Sequence, residues 1–364
     1  MSAAAPDLVA QLSASVSGDF ERSGRGFIFL NASSRPQWTF VFPRCVLHFE
    51  PAFRDHIISE LVDQDVQGTL EGLRVLNWCP NDFSHLVVLR TTSDHGCLLH
   101  AVSLGLWGVQ DRQRLLRDAL VRNLEGDAQA EFRQRWEMQL QQQNQMDGFT
   151  LTPEQLEEEW HQVLSLARDP SKSLEAIHCF VMAHILRRPI VTYADTVLRD
   201  AAGQPVAPVR FGGVYLPLLS ASPAECARAP LGLSFHNSHF SALVVLDGEP
   251  PHPPCVPLVD FNGETLPIQF ASPDQLRFGA TSLLMQWLDI TEVQGRMGAI
   301  MAAGPRREFF DHLLDRYLKA SHERFSTQQQ QQQQPQQLQQ HLGQDSQQPP
   351  GTAAREPASG ALGA

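Results

Sequence analysis

An apolar helix that opens on a cysteine is the feature that most constrains this chain of 364 residues. The run Thr91–Trp107 begins as a polar turn and becomes apolar directly after Cys97. A thiol at a helix N-terminus feels the positive end of the helix dipole, which favours the thiolate. The thiolate is the nucleophilic form, so this position predicts a nucleophile. A buried core cysteine is the alternative interpretation.

The residues just before Cys97 favour the nucleophile. Gly96 removes side-chain bulk beside the thiol, and Asp94 is a poor choice for a dry core. A turn at residues 94–97 would also present backbone N–H groups, that of Cys97 included, toward a developing oxyanion.

A histidine at the start of a strand pattern supplies the second candidate. His239 immediately precedes the apolar run Phe240–Leu246, whereas His236 lies further back in the turn. A cysteine that opens a helix and a distant histidine that opens a strand are typical of cysteine proteases. We therefore favour His239 as the general base. The group that orients its imidazole cannot be chosen by spacing, so Asp63 and Asp94 both remain candidates.

The other histidines and the motif content predict no further chemistry. His100, His178 and His184 lie beside apolar positions on helix patterns and are expected to be core or surface residues. No G-x-G-x-x-G, Walker-type or His-Glu-x-x-His motif occurs, and the six cysteines form no C-x-x-C pair. We expect neither a metal nor an organic cofactor.

Composition limits the partners and the compartment. The 28 Lys and Arg residues against 40 Asp and Glu residues give a net charge of −12, which argues against a nucleic-acid partner. No uncharged stretch reaches membrane-spanning length, so no membrane partner is expected. Six scattered cysteines are too few for a disulfide framework, and the first residues lack the pattern of a signal peptide. These features predict a cytoplasmic or nuclear protein.

The order of patterns along the chain predicts the fold class. Helix patterns come first and strand patterns later, which indicates an α+β or layered α/β fold. We divide the chain into a flexible N-terminus (1–20), one catalytic domain (21–325) and a disordered Gln/Pro-rich tail (326–364). Helices are predicted over Phe53–Leu73, from Asp111 as N-cap to Leu124, over 127–146, from Thr152 as N-cap of a capping box, over Ser173–Arg187 and within 275–325. Strands are predicted over Ile190–Ala194, Val214–Leu218, Leu231–Phe235 and Phe240–Leu246.

Taken together, the ordered motifs resemble the ovarian-tumour (OTU) family of cysteine deubiquitinases, in particular the branch of Cezanne and a tumour-necrosis-factor-induced ubiquitin-editing enzyme. The resemblance covers most of residues 25–270. The matching segments are Leu76–Cys79, Thr91–His100, Leu106–Asp111, Ser173–His178, Ile185–Val191, Ala194–Arg199, Phe211–Pro217 and His239–Leu243.

The resemblance implies a papain-like fold with a central sheet flanked by helices, and thiol-dependent hydrolysis of ubiquitin isopeptide bonds. By motif, Cys97 is the nucleophile and His239 the general base. Asp94 takes the acidic position of the family's Asp-Gly-Asn-Cys motif, and Asp63 matches an aspartate that can orient the histidine. The implied partners are ubiquitin, polyubiquitin chains and ubiquitinated proteins, and no metal or cofactor is implied.

One departure from the family pattern separates two hypotheses. The chain has Asp94-His95-Gly96-Cys97 where the family has Asp-Gly-Asn-Cys, so a glycine moves one position along the loop. Because glycine takes positive φ freely, Gly96 is expected to restore the lost freedom. If it does not, the alternative is a catalytically weakened scaffold that binds ubiquitin. A protease for another ubiquitin-like modifier is a further reading.

Overall fold

The computed structural model describes residues 20–30, 39–200, 202, 204–220, 222–248, 250–301 and 314–331. The chain divides into two units, Met1–Tyr317 and Leu318–Ala364. Apart from Phe20, the predicted N-terminal segment 1–20 lies outside the described residues. Residues 314–331 are helical, so regular structure runs six residues into the predicted tail 326–364. Glutamine is a good helix former, which explains the extension. The rest of that segment also lies outside the description.

The elements follow one another in the order that the patterns predict, helices mainly before strands. The helices of the first unit are α1 (Pro51–Leu61), α2 (Gln64–Gly72), α3 (Cys97–Trp107), α4 (Leu115–Glu125), α5 (Gln129–Asp147), α6 (Pro153–Arg168), α7 (Ala176–Ile185) and α8 (Ala280–Trp287). The strands are β1 (Phe20–Arg22), β2 (Ile28–Leu30), β3 (Leu86–Leu89), β4 (Ile190–Ala194), β5 (Val197–Arg199), β6 (Pro205–Pro208), β7 (Gly213–Tyr215), β8 (Leu231–His236), β9 (His239–Val245), β10 (Cys255–Pro257), β11 (Ile268–Gln269), β12 (Ile290–Val293) and β13 (Arg296–Ile300).

A mixed six-stranded sheet forms the centre of the fold, in the order β11-β7-β4-β8-β9-β3. Strands β4 and β8 are parallel, as are β7 and β11, and the remaining pairs are antiparallel. The inner strands are continuous apolar runs because helices cover them. The predicted mixed fold with a central sheet flanked by helices is confirmed.

The single helix predicted over Phe53–Leu73 is wrong, because the chain breaks between α1 and α2. Val62 forms a β-bridge with Leu89, and the N–H of Asp63 donates to the carbonyl of Val88 at 2.9 Å. The carboxylate of Asp63 then caps α2 by accepting from the N–H of Val66 at 3.3 Å. This break fixes Asp63 beside β3, at the edge of the central sheet.

Two predicted helix starts have different outcomes. The capping box at Thr152 is confirmed, with reciprocal hydrogen bonds between Thr152 and Gln155. The start at Asp111 is wrong, since α4 begins at Leu115. The carboxylate of Asp111 nevertheless accepts hydrogen bonds from the N–H groups of Leu115 and Leu116 at 2.9 and 3.0 Å. It thus supplies, from outside the helix, acceptors for two N–H groups that have no partner within the first turn.

The helical prediction for 275–325 is wrong in its middle. Helix α8 and residues 314–331 are helical, but β12 and β13 form an antiparallel hairpin between them. The turn residues Gln294 and Gly295 both have positive φ, 49° and 76°. The Gln-Gly pair between two short β-prone runs was the signal for this hairpin.

The turn between β8 and β9 sets the position of His239. Asn237 and Ser238 both have positive φ, 47° and 60°, as a two-residue hairpin turn requires. His236 and His239 face each other across this turn as the last pair of the ladder. The two histidines that the sequence offers as bases are therefore held by the same tight turn.

We expect Ser238→Gly to stabilise the protein. A non-glycine residue in the left-handed region costs about 1 kcal/mol, and an Asn-Gly turn removes that cost. The gain should be about 0.5–1 kcal/mol in the free energy of unfolding, because glycine also loosens the unfolded chain. Ser238→Val should destabilise by more than that. Urea unfolding of the two variants checks the prediction, and equal stability of both would contradict the turn geometry.

Candidate active site

Helix α3, which begins at Cys97, packs against β9, the strand that begins at His239. Cys97 is the first residue of α3 and exposes 6% of its surface. The backbone N–H of Phe240, the residue directly after His239, lies close enough to the sulfur to lower the pKa of the thiol. The structure thus places Cys97 against the start of the strand that carries His239.

The resting thiol is held in its protonated form. Burial raises the pKa of Cys97, although the nearby backbone N–H groups of Phe240, Leu98 and Cys97 itself oppose the shift. The nearby carboxylate of Asp94 raises the pKa further. A helix dipole contributes about 0.3–1 kcal/mol, whereas full burial can shift a pKa by several units. In the resting state, burial therefore outweighs the effect by which the helix start favours the thiolate.

The imidazole of His239 is neutral and ready to accept a proton. Burial lowers its pKa, opposed by the charge of Asp63, a hydrogen bond to the backbone of Thr91 and the charge of Asp94. Its Nε2 is buried without a hydrogen-bond partner. By contrast, the carboxylates that act on His236 are those of Asp195 and Asp63, with no effect from Asp94. Of the two histidines, His239 is the one that shares an environment with Cys97.

The two candidate aspartates occupy different places around His239. Asp63 is tied to α2 through its cap, and its charge raises the pKa of both His236 and His239. Asp94 lies in the loop before Cys97, and its charge acts on His239 and on Cys97. Both carboxylates therefore lie near the site, and Asp63 has the larger effect on His239.

His100 is a site residue that sequence reasoning missed. Its Nε2 lies 3.1 Å from Oδ2 of Asp94, while Oδ1 of Asp94 accepts from the N–H of Gly96 at 2.8 Å. The charge of His100 also lowers the pKa of His239. Its spacing was the available signal, because a residue three positions after Cys97 lies one turn along the same helix face. His178 and His184, in contrast, are buried and neutral, with pKa values lowered to about 4 and about 3, as predicted for core residues.

Gly96 serves the loop by its small size. The expectation that it supplies positive φ is wrong, since its φ is −94° and its ψ is 6°. A Cβ atom at this position would lie 3.1 Å from Oδ1 of Asp94 and 3.2 Å from Nε2 of His100. His95 does not have a positive φ either. The loop therefore tolerates His95 and needs glycine at 96 for close packing.

The loop in this conformation uses its own N–H donors internally. The N–H of Gly96 donates to the side chain of Asp94, and the N–H of Cys97 donates to the carbonyl of Asp94 at 3.2 Å. The sequence predicts these same groups as donors to an oxyanion. They must exchange partners before they can serve that role.

A cavity of about 470 Å³ lies beside this loop. Its lining includes Asp94, His95 and Gly96 on one side and Asp111 and Arg117 on the other, but neither Cys97 nor His239. Within the residues that the structure describes, no three His, Cys, Asp or Glu side chains are grouped so as to hold a metal ion.

The comparisons with known proteins agree with this arrangement. The family described as OTU-like cysteine protease matches residues 92–240, a range that contains Cys97, Asp94 and His239. The chain belongs to the OTU-like cysteine protease family. Asp63 lies outside the matched range of this OTU domain.

Two relatives extend the match beyond the OTU range. The chain is 35% identical over 260 residues to human "Tumor necrosis factor alpha-induced protein 3", covering 67% of this chain and 32% of that protein. It is also 35% identical over 271 residues to "Ubiquitin thioesterase trabid" of Drosophila melanogaster, covering 71% of this chain and 34% of that protein. The chain thus spans about a third of the length of the curated relatives it matches.

We predict that the resting OTU domain reacts slowly with a neutral alkylating agent at pH 7. Because burial holds the pKa of Cys97 above its ordinary value, the thiolate fraction should rise about tenfold per pH unit through pH 8. Iodoacetamide labelling of the Cys97 peptide, followed by mass spectrometry from pH 5 to 10, measures this. A rate that already levels off below pH 7 would instead indicate a preformed thiolate–imidazolium pair.

Proposed function

We propose that the protein is a deubiquitinase that hydrolyses isopeptide bonds at the C-terminal glycine of ubiquitin. The observation that carries the proposal is the packing of α3, which begins at Cys97, against β9, which begins at His239. The name of the Drosophila relative, a ubiquitin thioesterase, supports ubiquitin as the substrate class. Polyubiquitin chains and ubiquitinated proteins are the proposed partners.

The proposed reaction begins from a neutral pair. His239 accepts the thiol proton as Cys97 attacks the glycine carbonyl, and a carbon–sulfur bond forms. The tetrahedral oxyanion draws on N–H donors of the 94–97 loop once they leave Asp94. The imidazolium of His239 then protonates the lysine nitrogen as the carbon–nitrogen bond breaks. Water hydrolyses the thioester, releasing the ubiquitin carboxylate and restoring the thiol.

We assign the two carboxylates separate tasks in this reaction. Asp63 stabilises the imidazolium of His239, because its charge raises the pKa of that ring more than the other charges do. Asp94 shapes the loop, because its two oxygens contact Gly96 and His100. In this assignment, Asp63 stabilises charge and Asp94 sets the geometry of the loop.

The proposed compartment is the cytoplasm or the nucleus. All six cysteines are free, and two of them, Cys179 and Cys255, are buried with pKa values raised by desolvation. Free cysteines are typical of a reducing compartment. No helix in the described ranges is long and apolar enough to cross a membrane.

The proposed function is tested with a ubiquitin-derived electrophilic probe. The wild-type protein should form a covalent adduct that shifts its mass, and Cys97→Ala should form none while still binding ubiquitin. His239→Gln should slow the adduct by about 10²–10⁴-fold, because it removes the general base. His236→Gln is the matched control on the other side of the turn and should retain most of the rate.

Three outcomes of this experiment separate the hypotheses. Folded wild-type protein that binds ubiquitin but forms no adduct would favour the weakened scaffold, in which Asp94 retains the loop donors. Adducts only with probes that carry the tail of another ubiquitin-like modifier would favour a different substrate. Loss of the adduct in His236→Gln but not in His239→Gln would contradict the assignment of the base.

We expect Asp63→Asn to lower kcat by about tenfold, the effect of losing about 1.4 kcal/mol of imidazolium stabilisation. Asparagine is as good an N-cap as aspartate, so α2 should keep its start and its stability. Removing the negative charge should also lower the pKa of His239, which moves the acidic limb of the kcat/KM profile to lower pH. Diubiquitin cleavage across pH measures both effects. An unshifted limb would mean that Asp63 acts only as a cap.

A further inference from the structure

A buried arginine next to the catalytic loop has no role in the reaction described above. Arg117 exposes 5% of its surface and lies in the first turn of α4. Its Nη1 donates to three carbonyls at the end of α6, those of Leu166, Ala167 and Asp169, at 3.2, 3.1 and 3.2 Å. The last carbonyls of a helix lack partners within the helix, so this cation caps α6.

The same guanidinium also reaches the catalytic loop. Its Nη2 donates to the carbonyl of His95 at 3.3 Å, two residues before Cys97. Because a guanidinium is planar and its donors are fixed relative to one another, the loop carbonyl is held at a set position from the end of α6. A lysine has one nitrogen on a flexible stem and cannot span both sides in this way.

A second contact ties the same loop residue to the same region. Nδ1 of His95 lies 3.1 Å from the hydroxyl of Ser173, which follows α6 in the connection to α7. His95 is therefore held through its carbonyl by Arg117 and through its ring by Ser173. Glycine, which the family has at this position, could make only the first contact.

We infer that Arg117 is a positioning residue for the nucleophile: it joins the loop carbonyl of His95 to the end of α6 and so fixes the turn from which Cys97 acts. The inference rests on the proposed function. Arg117 touches neither the thiol nor the imidazole in this structure, so its effect on the reaction passes through the loop. Asp111 supports Arg117 indirectly, because its carboxylate accepts hydrogen bonds from two N–H groups in the first turn of α4, the helix that carries Arg117.

The test compares Arg117→Lys with a matched control elsewhere in the core. Arg188 is also buried, at 2% exposure, and also donates to backbone carbonyls, those of Ala229 and Pro230. Its guanidinium donates to Thr39, Ala229 and Pro230 instead of to the loop carbonyl of His95, so Arg188→Lys perturbs a comparable buried arginine at a different place in the core. Melting temperatures of both variants set assay temperatures at which each is fully folded.

For Arg117→Lys we expect kcat for diubiquitin cleavage to fall by about 10²-fold with KM changed less than about threefold, because a misplacement of about 1 Å can cost that much. Arg188→Lys should keep kcat within about threefold. A kcat loss that is equal in the two variants would overturn the inference and leave Arg117 a structural residue.

Hydrogen exchange measures the tether without any substrate. The amides of Gly96 and Cys97 should exchange at least tenfold faster in Arg117→Lys than in wild type, and unchanged in Arg188→Lys. Unchanged exchange in Arg117→Lys would overturn the inference even if the wild-type protein cleaved no ubiquitin, so the two failures can be told apart. If Arg117→Lys does not fold, Ser173→Ala on the exposed side of the loop should give a smaller acceleration at the same amides, and none would count against the tether.

Discussion

The packing of the α3 N-terminus on β9 is the contact on which the site depends. It joins two segments separated by more than a hundred residues, and it brings the N–H of Phe240 close enough to the sulfur of Cys97 to lower the pKa of the thiol. The β8–β9 turn and the break before Asp63 deliver two further groups to the same place. Cys97, His239 and Asp63 each lie at the start of a helix or strand, so backbone hydrogen bonds fix the position of each residue.

Burial determines the charge state of this site. Desolvation raises the pKa of Cys97 in spite of the helix dipole, and it lowers the pKa of His239 in spite of the charges of Asp63 and Asp94. A neutral pair costs less to bury than an ion pair, which explains how a thiol that is 6% exposed is accommodated. In the proposed reaction, the negative charge of Asp63 favours the imidazolium of His239 once the proton has moved, and so it contributes to the transition state.

The sequence predicted the parts of the fold that depend on local chemistry. The capping box at Thr152 and the buried strand at Ile190–Ala194 follow from residue type and periodicity, and the structure has both. It could not predict the break at Asp63, because that break depends on pairing of Val62 with a strand 27 residues away. The contact of His100 with Asp94 was missed because an apolar helix face hides a polar partner from pattern analysis.

The loop before Cys97 explains why a departure from the family motif is compatible with the fold. Its backbone needs no positive φ, so the constraint falls on space at Gly96 and on the anchoring of His95. Anchoring by Arg117 holds the loop while Asp94 accepts hydrogen bonds from two of its N–H groups, those of Gly96 and Cys97. A substrate carbonyl must therefore compete with Asp94 for those donors. Hydrogen bonds that form only as charge develops on the oxygen stabilise the transition state more than the bound substrate. In the proposed reaction, the pairing of the loop donors with Asp94 therefore favours the transition state over the bound substrate.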